Sequence, residues 1–386
     1  MEFTFTEEQL MIRDSAERFL AQASDTHAVR ASMSRADEYD PELSRRIGQE
    51  LFWPALMVPE AHGGMGLGFV ELAVLLEQCG RFLLGSPLFA TTCLATPALL
   101  LADNPALKEH WLGAIGSGEI NATLACTLEP EQIGIQAEAH ANGFLLSGAH
   151  AQVIDGAQAD LLLVAARSPG SEGEQGISLF ALPADTPGLL RTALPTLDQT
   201  RRLARIELRH VQASEAQLLC TVGQGWPLLR DAQRIAAIGL AAEQLGGAQQ
   251  ALDLTLAYIN ERRQFGRPIA SFQAIKHRCA DMMLQVECAR SAVWYAACVA
   301  REYLAPQGDP AVRSELLAAT ATAKAQCSEV FFHCAAESIQ LHGGVGFTWE
   351  YDPHLYFKRA RASEQLLGTP AWHRERLAAH VFGEQA

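Results

Sequence analysis

The stretch Glu261-Arg262-Arg263-Gln264-Phe265-Gly266-Arg267-Pro268-Ile269 gathers cations at a point where glycine and proline break the chain's helical habit. Guanidinium groups at such a turn can fork onto phosphate oxygens, while an aromatic ring and an amide supply stacking and hydrogen bonds. On charge alone an ordinary solvated helix end is the alternative. A second stretch, Gln340-Leu341-His342-Gly343-Gly344-Val345-Gly346-Phe347-Thr348, has adjacent glycines, which let backbone N–H groups come close to an anion. A plain helix-ending glycine turn is the competing reading there. His277, His333, His342 and His354 are too dispersed to make a metal site, and the nine cysteines include no Cys-x-x-Cys pair, so no metal is expected.

These residues need rigid elements to hold them. Phe5, Leu10, Met11, Ile12, Phe19 and Leu20 recur at helical spacing, and Val70 to Leu84 repeats the habit, with a Gly/Pro-rich loop from Val58 to Gly66 between them. From Asn121 to Leu219 short apolar runs alternate with Gly, Pro, Asn and Asp: Gly143–Gly148, Leu161–Ala165 and Ile177–Leu182 read as strands. Beyond Gly225 long Ala/Leu-rich helices return over Asp231–Arg263, Phe272–Leu304 and Pro310–His342, then near Pro353–Gly368 and Ala371–Phe382. Short connections between them suggest an antiparallel bundle. Asp309 is placed to cap the third of these long helices and Pro310 to open it. The expectation is a mainly α protein with a central β domain: an N-terminal helical domain over 1–120, a middle β-barrel or sandwich over 121–222, and a C-terminal helical bundle domain over 223–386.

A chain of 386 residues with 49% apolar content can fill several cores. Its net charge of −14 argues against nucleic acid as a partner, although a local basic cluster can still clasp one phosphorylated ligand. The opening MEFTFTEEQLMIRD lacks the basic leader and apolar core of a signal peptide, and no apolar run reaches membrane-spanning length. With the cysteines read as buried thiols in a reducing compartment, the cytoplasm is the expected location.

The run R-x-x-F-G-x-P-I-x-x-F-Q-A-I-K-H, from Arg262 to His277, resembles the acyl-CoA dehydrogenase family, whose helix–sheet–helix order matches this chain from end to end. Among its members the pattern is most similar to the small subunit of bacterial heteromeric acyl-CoA dehydrogenases. The resemblance implies a C-terminal four-helix bundle, an FAD cofactor, an acyl-CoA substrate, a dimer or tetramer, and an electron-transfer flavoprotein as acceptor. It also implies that Arg262, Gln264, Phe265 and Gln273 reach the FAD of a neighbouring subunit, Arg262 on its pyrophosphate, with Arg263 a surface partner. Gln340, Gly343 and Gly344 match the family's Q-x-x-G-G contact to the ADP portion. Leu366-Leu367-Gly368-Thr369 resembles Y-E-G-T, which sets Gly368 and Thr369 near the flavin. Ala125-Cys126-Thr127-Leu128-Glu129-Pro130 looks like V-T-E-P with one extra residue, so Thr127 is expected to serve the flavin, and Gln152-Val153-Ile154-Asp155-Gly156 corresponds to W-I-T-N-G.

The implied reaction removes a weakly acidic α-proton from a saturated thioester while the β-carbon delivers a hydride to flavin N5, which requires a desolvated carboxylate base. Leu367 stands where E-G-T supplies that base, and an aliphatic side chain takes no proton. The alternative position in the helix preceding Phe265 falls on Ala236, or on Gln233 in a shifted match. Gln152 and Ile154 replace the tryptophan and threonine of W-I-T-N-G. The flavin half-site carried by this chain is thus degraded, while Arg262, Gln273, Gly343 and Gly344, which serve a neighbour's FAD, are intact. That asymmetry, with the resemblance of Leu355–Gly368 and Thr196–Arg201 to bacterial subunits acting on bulky or dicarboxylic acyl-CoAs including sterol fragments, points to the non-base-bearing partner of a heteromeric enzyme. Three other readings stay open. In a self-sufficient dehydrogenase Glu243 would be the base, since it lies seven residues beyond Ala236 on a similar face, though displaced by about 10 Å. Glu364 is the weaker candidate for that role. The others are a non-catalytic partner with the same fold and an oxidase-like flavoprotein.

Overall fold

The structure is a computed structural model and describes residues 5–35, 39–305 and 310–383. The N-terminal helices are α1 (Glu7–Ala23), α2 (Thr26–Met33), α3 (Pro41–Arg45), α4 (Phe69–Arg81), α5 (Thr96–Leu101) and α6 (Pro105–Gly116). Strands β1 (Ala122–Leu124), β2 (Ile135–His140), β3 (Gly143–Ile154), β4 (Leu161–Arg167), β5 (Ile177–Pro183), β6 (Leu189–Leu194) and β7 (Leu203–Ala213) follow. Then come α7 (Trp226–Glu261), a hairpin of β8 (Arg263–Gln264) and β9 (Arg267–Pro268), α8 (Gln273–Leu304), α9 (Pro310–His342), α10 (Pro353–Gln365) and α11 (Pro370–Phe382). The order is the expected one of helices, sheet and helices. The expected Asp309 cap lies outside the described residues.

Helix starts follow local chemistry. Thr6 and Gln9 form a reciprocal capping box at α1, Asn104 accepts from the Leu107 N–H at α6, and Thr369 accepts from the Trp372 N–H at α11, each satisfying donors that an uncapped first turn would leave orphaned.

Two compact units divide the chain. One draws on Ser32–Gly68 and Gly85–Ala236, the other on Met1–Ala31, Phe69–Leu84 and Ala237–Ala386. In the first, β2, β3, β7 and β6 pair antiparallel in that order, and β4 carries β5 antiparallel on one edge with β1 parallel on the other, where β2 joins it at Gln136–Arg167. Leu146, Val164, Phe180, Ile206 and Val211 are fully buried against one another, so the sheet curls around its own core.

In the second unit α8 lies along α9, and α9 also packs against α10 and α11. Glycines set how closely α7 meets its neighbours. A Cβ on Gly246 would fall 1.8 Å from the Glu77 carbonyl oxygen, and one on Gly80 would fall 1.9 Å from that of Glu243, so the backbones of α4 and α7 touch. Gly247 leaves space for the fully buried Phe331 ring of α9, 2.4 Å from where its Cβ would be. Among the described residues no helix is long and apolar enough to cross a membrane.

Candidate functional site

The basic stretch forms a sharp corner between α7 and α8. Its hairpin pairs Arg263 with Pro268 and Gln264 with Arg267 across the two-residue tip Phe265-Gly266, both at positive φ (53° and 77°). Tips of that kind match the twist of paired strands. The corner is tied back twice, the Arg262 N–H donating to the Tyr258 carbonyl (2.8 Å) and the Ile269 N–H to the Arg262 carbonyl (2.9 Å). The Arg267 guanidinium lies 4.1 Å over the Phe272 ring, and the Phe265 ring meets Phe272 edge-on at 6.1 Å. Arg262, Gln264 and Gln273 are exposed, and Phe265 is 90% exposed on the tip. Among the described residues no carboxylate pairs with Arg262, Arg263 or Arg267; nearby Glu337 is taken by Arg278.

The end of α9 is brought to this corner. His342 stacks on Tyr258 at 4.2 Å with the rings 23° apart, and its Nδ1 donates to the Ser338 carbonyl at 2.7 Å. The Arg278–Glu337 ion pair joins the first turns of α8 to the last turns of α9. Gln340, Gly343 and Gly344 are therefore exposed beside the cationic hairpin. Gly343 needs its φ of 67°. Gly344 has no such angle, and a Cβ on it would meet no atom within 4 Å. Nothing in the described residues requires glycine at 344, and its exposed backbone is open to approach from outside. Unneutralised guanidiniums beside an open glycine pair are suited to the pyrophosphate of a dinucleotide.

The turn between α10 and α11 holds Leu367, Gly368 and Thr369. Leu367 is 9% exposed at φ 56°, a left-handed angle that leucine adopts only under constraint. Gly368 sits at φ 98°, and a Cβ there would be 2.7 Å from the Trp372 ring and 2.8 Å from His373 Nε2. The Thr369 hydroxyl is engaged as the α11 cap.

Glu243 is buried in α7, its Oε2 4.0 Å from Nη1 of the equally buried Arg359. Ala236 and Gln233 are buried in the same helix and carry no ionisable group. Glu364 is ion-paired with Arg361 at 2.6 Å.

Thr127 belongs to the sheet-bearing unit and is 7% exposed, its hydroxyl donating toward the Gln132 Oε1 (2.9 Å) and the Glu129 carbonyl (3.3 Å) within its own turn. Gln152 is exposed and Ile154 buried at the end of β3. The strand is pinned just beyond, at Asp155, which accepts from the Tyr39 hydroxyl at 2.6 Å and whose N–H donates to the Arg202 carbonyl at 3.0 Å. Two groups escaped the sequence reading. His150, kept toward its neutral form by burial against an opposing backbone hydrogen bond at Cys126, lines the same strand. Lys324, fully buried in α9, is the other. Among the described residues no cluster of three or more His, Cys, Asp or Glu side chains is arranged to hold a metal ion.

Residues 6–119 match the model of the acyl-CoA dehydrogenase N-terminal domain, and residues 223–382 that of the C-terminal domain. Acyl-CoA dehydrogenase IpdE2 of Mycobacterium tuberculosis is 36% identical over 97% of this chain and 98% of its own length. The structure is similar to a chain of the ChsE4-ChsE5 complex from Mycobacterium tuberculosis, with a TM-score of 0.87, 26% identity and full coverage of both chains. It is similar also to a chain of the steroid ACAD Tcur3481-Tcur3483, with a TM-score of 0.82, 29% identity and 98% of each chain covered. With its N- and C-terminal family domains before and after a curled β-sheet in the sequence, this chain is a member of the acyl-CoA dehydrogenase family of oxidoreductases.

Proposed function

We propose that this chain is the base-lacking subunit of a heteromeric, FAD-dependent acyl-CoA dehydrogenase of the cytoplasm. Its partner carries the carboxylate and contributes the rest of the flavin half-site. The observation behind this reading is Leu367, a buried aliphatic side chain at the position where the family's E-G-T motif holds its base, in a chain whose cationic corner is complete. FAD, when bound, accepts the hydride that leaves the acyl β-carbon. Arg262 would hold the pyrophosphate together with the Gly343-Gly344 backbone, Gln264, Phe265, Gln273 and Gln340 would complete the contact, and a neighbouring subunit would cover the exposed Phe265 ring. Gly368 and Thr369 contribute to what remains of the chain's own half-site through backbone and packing, the Thr369 hydroxyl being held by the helix cap; Thr127, whose hydroxyl is held within its own turn, is likewise proposed to serve the flavin.

Glu243 is read as the partner of Arg359, not as a base. The names of the similar proteins, a steroid ACAD and a two-component complex, favour a bulky, sterol-derived acyl-CoA and a second acyl-CoA dehydrogenase subunit. An electron-transfer flavoprotein is the proposed acceptor.

Purification of the chain alone and co-expressed with its partner subunit, followed by flavin quantitation and a dye-linked dehydrogenase assay, tests the reading. The expected result is one FAD for every two chains and turnover only in the mixed assembly. One FAD per chain with full dehydrogenation by the isolated protein would overturn it.

A further inference from the structure

We propose that Lys324 and His373 are positioning residues, which clamp Leu367 and Gly368 into a fixed wall of the cofactor site. The role of that wall rests on the function proposed above; the clamp itself does not. Lys324 is fully buried on α9, yet its ammonium has a partner for each of its three hydrogens: Ser328 Oγ at 2.9 Å, the Gly368 carbonyl at 3.0 Å and the Glu364 carbonyl at 3.4 Å. The Glu364 carbonyl belongs to the last turn of α10, where unsatisfied carbonyls and the helix dipole both favour a cation. His373 reaches back from α11 to hold the adjacent carbonyl, that of Leu367, at 2.9 Å. Because a carbonyl only accepts, the proton of this imidazole sits on Nε2. Both carbonyls along the Leu367–Gly368 backbone are thus held by side chains from two different helices.

A buried lysine is costly, since an ammonium removed from water is tolerated only with its hydrogen bonds complete. The surroundings supply them as a network. Gln244 of α7 donates to Ser328 Oγ at 3.0 Å and to Ser363 Oγ at 3.1 Å, joining α7, α9 and α10 around the ammonium. What this arrangement secures is a conformation that the turn would not keep by itself. Leu367 lies at φ 56°, where a leucine is strained, and Gly368 at φ 98°, where Trp372 and His373 leave no room for a side chain. Without the two donors, both carbonyls would be buried unpaired and the strained leucine would relax.

Hydrogen exchange of the full chain in its FAD-loaded mixed assembly tests the clamp, with Lys324→Met, His373→Phe and, as a control of general destabilisation, Val286→Ala in the buried face of α8. Lys324→Met is expected to speed exchange of the Leu367–Thr369 amides by about tenfold or more, and His373→Phe to do so at Leu367 and Gly368, while Val286→Ala leaves them unchanged. FAD affinity is expected to fall by about tenfold in both clamp variants and to stay within about twofold of the parent in the control. Should Lys324→Met not fold, His373→Phe carries the test. Unchanged exchange over these amides in the folded variants would overturn the clamp, and faster exchange with undiminished FAD affinity would overturn the role of the wall. If the parent assembly held no FAD, the proposed function would fail while the exchange contrast still decided the clamp.

Discussion

Gly344 and Gly246 are both glycines, but only Gly246 is required by the packing of its own chain. Gly246 is demanded by its own chain, because a Cβ would strike the Glu77 carbonyl. Gly344 has open space where a Cβ would go and an angle that any residue adopts. Gly344→Ala is therefore expected to leave the folded chain within about 0.5 kcal/mol of the parent, as surface substitutions do. On the proposed function, FAD affinity in the same variant should fall by about tenfold, because the methyl would occupy the approach of a pyrophosphate to the backbone. Thermal unfolding and flavin titration separate the two effects, and loss of stability without loss of affinity would mean that the glycine serves the fold. Glu243 makes the opposite case. Glu243→Gln removes the carboxylate that lies 4.0 Å from the buried Arg359 guanidinium and is expected to cost about 3 kcal/mol, the scale for breaking a buried ion pair. Turnover per folded mixed assembly should persist, and its abolition would restore Glu243 as the base.

Elements were legible from sequence where periodicity or punctuation was strong. The strands starting at Gly143, Leu161 and Ile177 and the helices α8 and α9 begin at or next to the expected residues, because Gly and Pro mark element starts, whereas β3 runs six residues past its expected end at Gly148 and α7 starts five residues before the expected Asp231. The hairpin corner was legible as a motif. Its I′-like tip at Phe265-Gly266 was not, because a phenylalanine at positive φ is a choice made by tertiary context. The clamp at the α10–α11 turn escaped for a related reason. Helix α9 is rich in alanine on all sides, so periodicity does not say which face is buried. A lone lysine in the run Leu316-Leu317-Ala318-Ala319-Thr320-Ala321-Thr322-Ala323-Lys324-Ala325 was the available signal. The α4–α7 crossing was hidden likewise, since Gly246 and Gly247 inside a 36-residue helix suggest weakness until the partner backbone is seen. Gly246→Ala should force α4 and α7 apart and destabilise the chain by about 3 kcal/mol, within the range for overpacking against backbone. A denaturation midpoint equal to the parent's would show that the crossing yields without cost.

For the molecule as a whole, the buried ionisable groups around the clamp link stability to pH. Burial brings Lys324 from its ordinary 10.5 down to about 7, against the opposing pull of the Glu364 carboxylate. Burial, with Lys324 nearby, brings His373 from 6.5 down to about 4. The third titratable neighbour, Cys327, is pushed up to about 12 by burial and stays a neutral thiol in this range. In each lowered group the unfolded chain binds more protons than the folded one between the two values, so stability rises with pH across that window. The Lys324 contribution is complete above 10.5 and is lost as pH falls toward 7; that of His373 is complete above 6.5 and is lost as pH falls through 4. The net charge of −14 acts in the other direction above neutrality, because repulsion among surplus carboxylates persists as lysines elsewhere begin to lose charge. A single parent curve therefore mixes the two effects, and a difference between parent and variant isolates the lysine. Relative to the parent, Lys324→Met is expected to lose stability progressively between pH 7 and pH 10, since methionine neither holds the two carbonyls nor gains from the rise in pH. Urea midpoints of both proteins at half-unit steps measure that divergence, and parallel curves over this interval would mean that Lys324 keeps its ordinary ionisation because its three hydrogen bonds offset its burial.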